Sequence, residues 1–167
     1  LQQVMEVRTA SGLQCLSVGE AQTVVIAGMG GATILGILAE RPDITKAVET
    51  FVLQPMNAES LLRQWLSENY FAIREETICQ ENGHFYIILQ AVPVAQQQRL
   101  SEIERELGPC ILHNKPFFGR KYGAEKAKRF RKLLAQMAVS ETARQSKKYK
   151  IIQELLLQFE ELLSAAD

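Results

Sequence analysis

Cysteine and histidine are scarce in this 167-residue chain, and each scarcity closes a route. Cys15, Cys79 and Cys110 are odd in number and far apart, which fits neither a disulfide framework nor a C-x-x-C metal site. They read as reduced, structural thiols, and no metal is expected. His84 and His113 stand alone, with no Cys or carboxylate at ligand spacing, so both read as surface or structural residues, His84 beside a hairpin turn and His113 in a loop. No Ser sits in a G-x-S-x-G elbow and no Cys has an activating helix-start context, which leaves nucleophilic catalysis without a candidate. No apolar run approaches the roughly 20 residues of a membrane span, and Leu1 opens no basic-then-apolar leader. A soluble, cytoplasmic protein with no membrane partner is expected.

Acid is missing from one region in particular. From His113 to Lys150 there are 12 Lys or Arg against only Glu125 and Glu141, a balance of +10 that the rest of the chain cancels to a formal net charge of zero. Two acids supply few i,i+4 partners for twelve bases, so the segment reads either as a solvated helix face or as a surface for a polyanion.

What is present, at 47% hydrophobic residues, is enough for one core-bearing domain and a smaller appendage. Val4 to Arg8 alternates like a short strand. Thr23 to Ala27 is a β-branched run expected of a strand buried on both faces of a parallel sheet, and Thr50 to Leu53 repeats the pattern. Between them Ile34, Leu35 and Leu38 recur at helical spacing until Arg41-Pro42; after Gln54-Pro55, Asn57 offers a helix N-cap ahead of Leu61, Leu62, Trp65 and Leu66. Tyr70 to Cys79 and Phe85 to Ala91 flank Glu81-Asn82-Gly83, a hairpin signal. Leu100, Ile103 and Leu107 mark a short helix stopped by Gly108-Pro109. Beyond it, Ala127, Phe130, Leu134 and Met137, then Tyr149, Ile152, Leu156, Phe159 and Leu163, step by threes and fours as the seam of an antiparallel helical hairpin, with the basic residues outside it. The fold expected is α/β with a C-terminal helical hairpin, divided as 1–112 and 113–167.

The stretch TVVIAGMGGATIL, Thr23 to Leu35, places a glycine turn between strand and helix, where open α/β sheets present backbone to a ligand. Its spacing fails the dinucleotide fingerprint, since Thr33 stands where the third glycine belongs, and no G-x-x-x-x-G-K-[ST] occurs. The alternative is that the glycines only let the helix pack closely on the sheet. Gln54-Pro55-Met56-Asn57 follows a strand and falls on the same sheet edge, where its amides could meet a purine edge or Asn57 could simply cap a helix.

Taken in order, V-R-x-x-x-G-L (Val7 to Leu13), V-V-I-A-G-M-G-G-x-x-I (Val24 to Ile34), L-Q-P (Leu53 to Pro55) with L-R-x-W-L (Leu62 to Leu66), E-N-G-x-F-Y (Glu81 to Tyr86) and L-G-P (Leu107 to Pro109) resemble the bacterial tRNA adenine-N1-methyltransferase family of the adenine-22 type. The resemblance runs over essentially the whole chain. It implies a class I, Rossmann-like methyltransferase sheet, S-adenosylmethionine as cofactor, and tRNA as the partner of the +10 segment, since Lys and Arg contacts to phosphate dominate such binding. It further implies that Ala10, Gly12, Leu13, Ala27, Gly28 and Met29 line the cofactor. Gly30, Gly31, Gln54, Pro55, Asn57, Lys126, Arg129 and Lys132 would then meet the substrate.

The chain departs from the family pattern in two places. The family carries two further strands ahead of this region, the first bearing the glycine-and-acid motif for the cofactor, so a fragment with an incomplete sheet, an unpaired edge and weak cofactor binding on its own is expected. The acid usual before Gly12 is Ser11, the position a catalytic group would hold; a serine is no carboxylate base at neutral pH, although adenine N1 already owns a lone pair. Two rival readings therefore stand beside the enzyme, a non-catalytic RNA-binding remnant and a protein-interaction module using the helical seam. The oligomeric state is left open, a monomer included.

Overall fold

The computed structural model describes residues 5–114 and 118–164. Val4 and Lys115 lie outside them. The first short element is a 3-10 turn, Gly12–Cys15. A parallel β–α–β unit follows: β1 (Thr23–Met29), α1 (Gly31–Glu40), α2 (Pro42–Ala47) and β2 (Thr50–Pro55). Next come α3 (Glu59–Glu68), the hairpin of β3 (Phe71–Glu81) and β4 (His84–Pro93), then α4 (Glu102–Leu107) and α5 (Pro109–Asn114). The terminal helices are α6 (Gly119–Met137), the single turn α7 (Glu141–Arg144) and α8 (Lys147–Ser164).

Strand order is β1-β2-β4-β3, with β1 and β2 parallel and the other pairs antiparallel. Asn82 and Gly83 both adopt positive φ (49° and 78°), the two-residue turn whose twist suits a tight hairpin. Ser101 caps α4 through a reciprocal bond with Glu104, and Pro109 opens α5 directly after Gly108. The short helix stops at Gly108 as expected, but Pro109 at once begins another helix, and His113 falls in its last turn rather than in a loop. Pro42 likewise sits at the start of α2, which was not foreseen.

One face of the sheet is covered. Ile26, Phe51, Leu53, Leu89 and Ala91 pack against Ile34 and Leu38 of α1 and Leu62 and Leu66 of α3, nearly all fully buried. Burying each such side chain contributes about 1.5–3 kcal/mol. The opposite face carries no helix among the described residues, so β1 is not buried on both faces as expected. Only its Ile26 is buried, and Val25 is 66% exposed. β1 is also an edge strand, and Met5 to Ala10 form no strand beside it; without a ladder partner their alternation has nothing to pair with.

A second cluster joins the far end of the hairpin to the terminal helices through Ile78, Ile87, Leu107, Ile111, Tyr122, Ala127, Leu155 and Phe159. The α6–α8 pair exists, with Phe130 and Phe159 rings 5.6 Å apart. Its most buried α8 positions are Ile152, Leu155 and Phe159, so Leu155 takes the place expected of Leu156. Lys126 breaks the expectation that basic residues avoid the interior: it is 8% exposed and paired with Glu106 (3.2 Å) and Glu59 (3.8 Å).

Between the clusters lies a buried ion pair. Arg63 Nε donates to Glu76 Oε1 at 2.7 Å with both side chains fully buried, while Arg63 Nη1 donates to the carbonyls of Arg105 and Glu106. The Cys110 amide donates to Glu76 Oε2 at 3.1 Å. Burial pulls the Arg63 guanidinium down most strongly of any one cause, but the Glu76 charge and hydrogen bond, with Tyr122 and Glu59 beside them, together outweigh it and hold the group above its ordinary value. The pair thus ties α3, β3, α4 and α5 together.

Candidate active site at the carboxyl edge of the parallel strands

β1 and β2 both end at one sheet edge, and their last residues are cross-linked by backbone and amide bonds. Gly28 N–H donates to Gln54 Oε1 (2.8 Å), the Met56 N–H to the Met29 carbonyl (2.8 Å), and the Gly31 N–H to the Asn57 carbonyl (3.0 Å). Gln54 Nε2 turns back to the Pro55 carbonyl at 3.2 Å. The strand ladder slips between Ala27 and Met29, and Gly28 takes φ +77°, which lifts the turn away from the sheet.

The three glycines serve different ends. A Cβ on Gly31 would lie 2.7 Å from the carbonyl oxygens of Asn57 and Ala58, so this residue is glycine because the α1 start presses on the next loop. At Gly30 the obstacle is the Asn57 side chain, with Oδ1 3.1 Å from the Cβ position. Gly28 has nothing within 4 Å on that side. Close packing therefore accounts for Gly31, while Gly28 leaves an open surface beside Met29, which is 43% exposed.

Asn57 is not the cap of α3. Ala58 holds that place in the left-handed region (φ 53°, ψ 37°) with no side-chain cap, because the Asn57 carbonyl serves Gly31 and its side chain lies over Gly30. Ala27, Gly28, Met29, Gly30, Gly31, Gln54, Pro55 and Asn57 are thus gathered at one edge. The turn that follows Ala10 and Ser11, both exposed, packs further along α1: Gly12 meets Ile37, Gln14 bonds Glu40 at 2.5 Å, and Leu13 is 4% exposed within the core. Ile37 stands about 9 Å of helix rise beyond Gly31. Ser11 is exposed and its hydroxyl makes no cap bond.

Helix α6 brings Lys126 and Arg129 to the same edge, where with Asn57, His84, Tyr86 and Tyr122 they line an open groove of about 350 Å³. Lys132 is exposed one turn further along. Sequence reasoning passed over Tyr86; His84, read as a surface residue beside the hairpin turn, is exposed. The signal was there in part, since residues two apart on a strand share a face and the hairpin turn fixes where that face starts. No group of three or more His, Cys, Asp or Glu able to hold a metal occurs among the described residues. Among them, no helix is long and apolar enough to cross a membrane.

The donor set suits a flat, neutral ring system: exposed glycine backbone, a thioether and primary amides, with no lysine or arginine on the glycine turn itself. Comparison with known proteins gives the family. The family model described as TrmK, tRNA (adenine(22)-N(1))-methyltransferase, matches residues 1–161. The tRNA (adenine(22)-N(1))-methyltransferase of Bacillus subtilis (strain 168) is 38% identical over 87 residues, 52% of this chain and 37% of that protein, so the match spans well under half of the curated relative. The crystal structure of the B. subtilis M1A22 tRNA methyltransferase TrmK superposes with a TM-score of 0.79 at 26% identity, covering 94% of this chain and 69% of that one. Streptococcus pneumoniae Sp1610 in complex with S-adenosyl-L-methionine gives 0.77 at 28%, covering 95% and 68%. With its Rossmann-like α/β sheet, its glycine turn and a family match over nearly its whole length, this chain belongs to the tRNA (adenine(22)-N(1))-methyltransferase family.

Proposed function

We propose that the chain is the part of a methyltransferase that presents a tRNA adenine, that of position 22, for methylation at N1. The observation that carries this reading is the cross-linked edge: Gly28, Gln54, Met56 and Asn57 are held by backbone-directed bonds around an uncovered surface. The open Cβ side of Gly28 and the exposed Met29 fit a cofactor of the S-adenosylmethionine class, with Ala27, Gly28 and Met29 as its neighbours. When bound, that cofactor supplies an electrophilic methyl group.

The chain's own residues then position. Gly30 leaves room for a base, and the Asn57 amide beside it offers a donor and an acceptor to a purine edge. No side chain need accept a proton, because adenine N1 attacks through its own lone pair, and holding the two reactants in line supplies a large share of the rate. This reading does not depend on a carboxylate at Ser11. Residues 1–112 would carry this chemistry and 113–167 the grip on tRNA, with Lys128, Arg129 and Lys132 exposed on α6 for phosphates. Lys126, paired with Glu59 and Glu106, serves by fixing α6 against α3 and α4. Such a substrate places the protein in the cytoplasm.

The test is a methylation assay on unmodified tRNA, using the chain with any coding sequence that adjoins it, followed by mass-spectrometric identification of the product base. N1-methyladenosine at position 22 is the expected result. RNA binding without methyl transfer would overturn it in favour of the non-catalytic RNA-binding reading.

A further inference from the structure

The parallel ladder of β1 and β2 runs evenly from Thr23 opposite Thr50 to Ala27 opposite Gln54, then skips Gly28 and resumes with Met29 opposite Pro55. A residue at such a bulge is left out of the ladder, and Pro55 has no N–H to offer in its neighbourhood. The Gly28 amide is met instead by a side chain, donating to Gln54 Oε1 at 2.8 Å. Gln54 Nε2 is spent at its own strand end: it donates to the Pro55 carbonyl at 3.2 Å and lies 3.5 Å from Met56 Sδ. Burial alternates along β2, with Phe51, Leu53 and Pro55 buried and Val52 and Gln54 half-buried on the other face. Asn57, by contrast, lies over Gly30 at the start of α1, and its carboxamide makes no hydrogen bond among the described residues.

We propose that Gln54 is a positioning residue for the cofactor turn and not a ligand of the base: its carboxamide stands in for the missing ladder bond and so fixes Gly28 and Met29 beside the methyl donor. The identity of that donor rests on the methyltransferase reading, whereas the strut rests on the bonds just given. Three features favour a strut over a base ligand. First, a glycine at φ +77° leaves that conformation easily, so a turn built on it needs a tether from outside, and the Gln54 side chain is that tether. Second, the tether is held at both ends, since the Met56 amide donates to the Met29 carbonyl at 2.8 Å directly beside the Gln54 bond. The two bonds bracket the turn from one strand end. Third, a carboxamide that reads a base must spare a donor, and the Gln54 donors already have the Pro55 carbonyl and the Met56 thioether while Asn57 keeps both of its own. The family resemblance groups Gln54 with Asn57 at the substrate. Their bonds divide them: Gln54 acts through Gly28, and Asn57 is left for the base.

Amide hydrogen exchange followed by NMR, on the chain with any coding sequence that adjoins it, tests the strut without reference to activity. Gln54→Leu should speed exchange of the Gly28 amide about tenfold, the loss of one neutral hydrogen bond, and leave exchange elsewhere in β1 and β2 as it was. Gln54→Glu, which keeps an acceptor for Gly28, should hold that amide within about threefold of the parent. Circular dichroism melting checks that each variant is folded, and Gln54→Met, unbranched and of similar length, replaces Gln54→Leu if the latter has no melting transition. Calorimetry and steady-state kinetics then ask what the strut serves. Gln54→Leu should weaken S-adenosylmethionine binding about tenfold and leave KM for unmodified tRNA within about twofold, whereas a base ligand would show the reverse. Unchanged Gly28 exchange, or faster exchange with unchanged cofactor affinity, would overturn the proposal. The two readings fail separately. Methyl transfer to adenine 22 with Gly28 exchange indifferent to Gln54 removes the strut alone, and faster exchange in a protein whose parent methylates another nucleotide removes the adenine-22 reading alone.

Discussion

The cluster beneath the glycine turn is built from apolar side chains, Phe51, Leu53, Ile34, Leu38 and Leu62 among them, whereas the joint between sheet and terminal helices holds Arg63, Glu76 and Lys126 out of water. An apolar core tolerates small shifts of register, because dispersion and burial have no direction. A buried guanidinium has fixed donor directions and must find Glu76 and the carbonyls of Arg105 and Glu106 at once. The difference teaches that the sheet edge is supported by packing, while the orientation of the helices that line the groove is set by charge geometry.

The sharpest way to break this contrast is Glu76→Ala. It strands Arg63 in the interior, and a loss of about 3–5 kcal/mol is expected in urea unfolding. The double substitution Arg63→Met with Glu76→Leu should recover most of it, since an apolar pair needs no partner; failure to recover would mean that the carbonyl bonds of Arg63, and not the ion pair, hold the joint. Gly31→Ala comes next, at about 1–3 kcal/mol, because its Cβ meets two backbone oxygens that cannot move separately. Gly28→Ala should cost about 1 kcal/mol, from positive φ alone, yet reduce S-adenosylmethionine binding more than Gly31→Ala does, measured by calorimetry. Equal effects of the two on both readouts would erase the distinction between a packing glycine and a ligand-facing one.

The smallest effect belongs to an exposed pair that is the surface counterpart of Arg63–Glu76. The Arg41 guanidinium, hydrogen-bonded to Asp43, pulls that carboxyl from 3.8 down to about 2. A depressed carboxylate stabilises the fold fully above its unfolded pKa and loses that contribution as pH falls through the folded value, here between about 4 and 2. In Arg41→Gln the Asp43 titration followed by NMR should move up toward 3.8, with little change in unfolding at pH 7.

Much of this was legible in the residues. The β-branched runs of β1 and β2, the Asn82-Gly83 turn and the step pattern of α6 and α8 are local signals, and each element formed where they pointed. What was not legible depended on neighbours far along the chain. Val25 looks like Val52 in sequence, but only the sheet order makes one an edge residue. Asn57 resembles a cap until the Gly31 amide claims its carbonyl, and Lys126 resembles its basic neighbours until Glu59 and Glu106 arrive from two other helices. The short helices α2 and α5 were missed because Pro42 and Pro109 were read as stops, although a proline suits a helix's first turn as well as its end. For the site, the glycine turn and Gln54–Asn57 came together as expected, and Ala10 to Leu13 lay apart from them.

Sheet order also bears on how the chain folds. β3 and β4 are neighbours in sequence and in space, so their ladder closes through a two-residue turn at little entropic cost. β1 and β2 must wait until α1 and α2 are threaded between them. The hairpin is therefore the place for nucleation, and the edge that gathers Gly28, Gln54 and Asn57 is among the last parts to form.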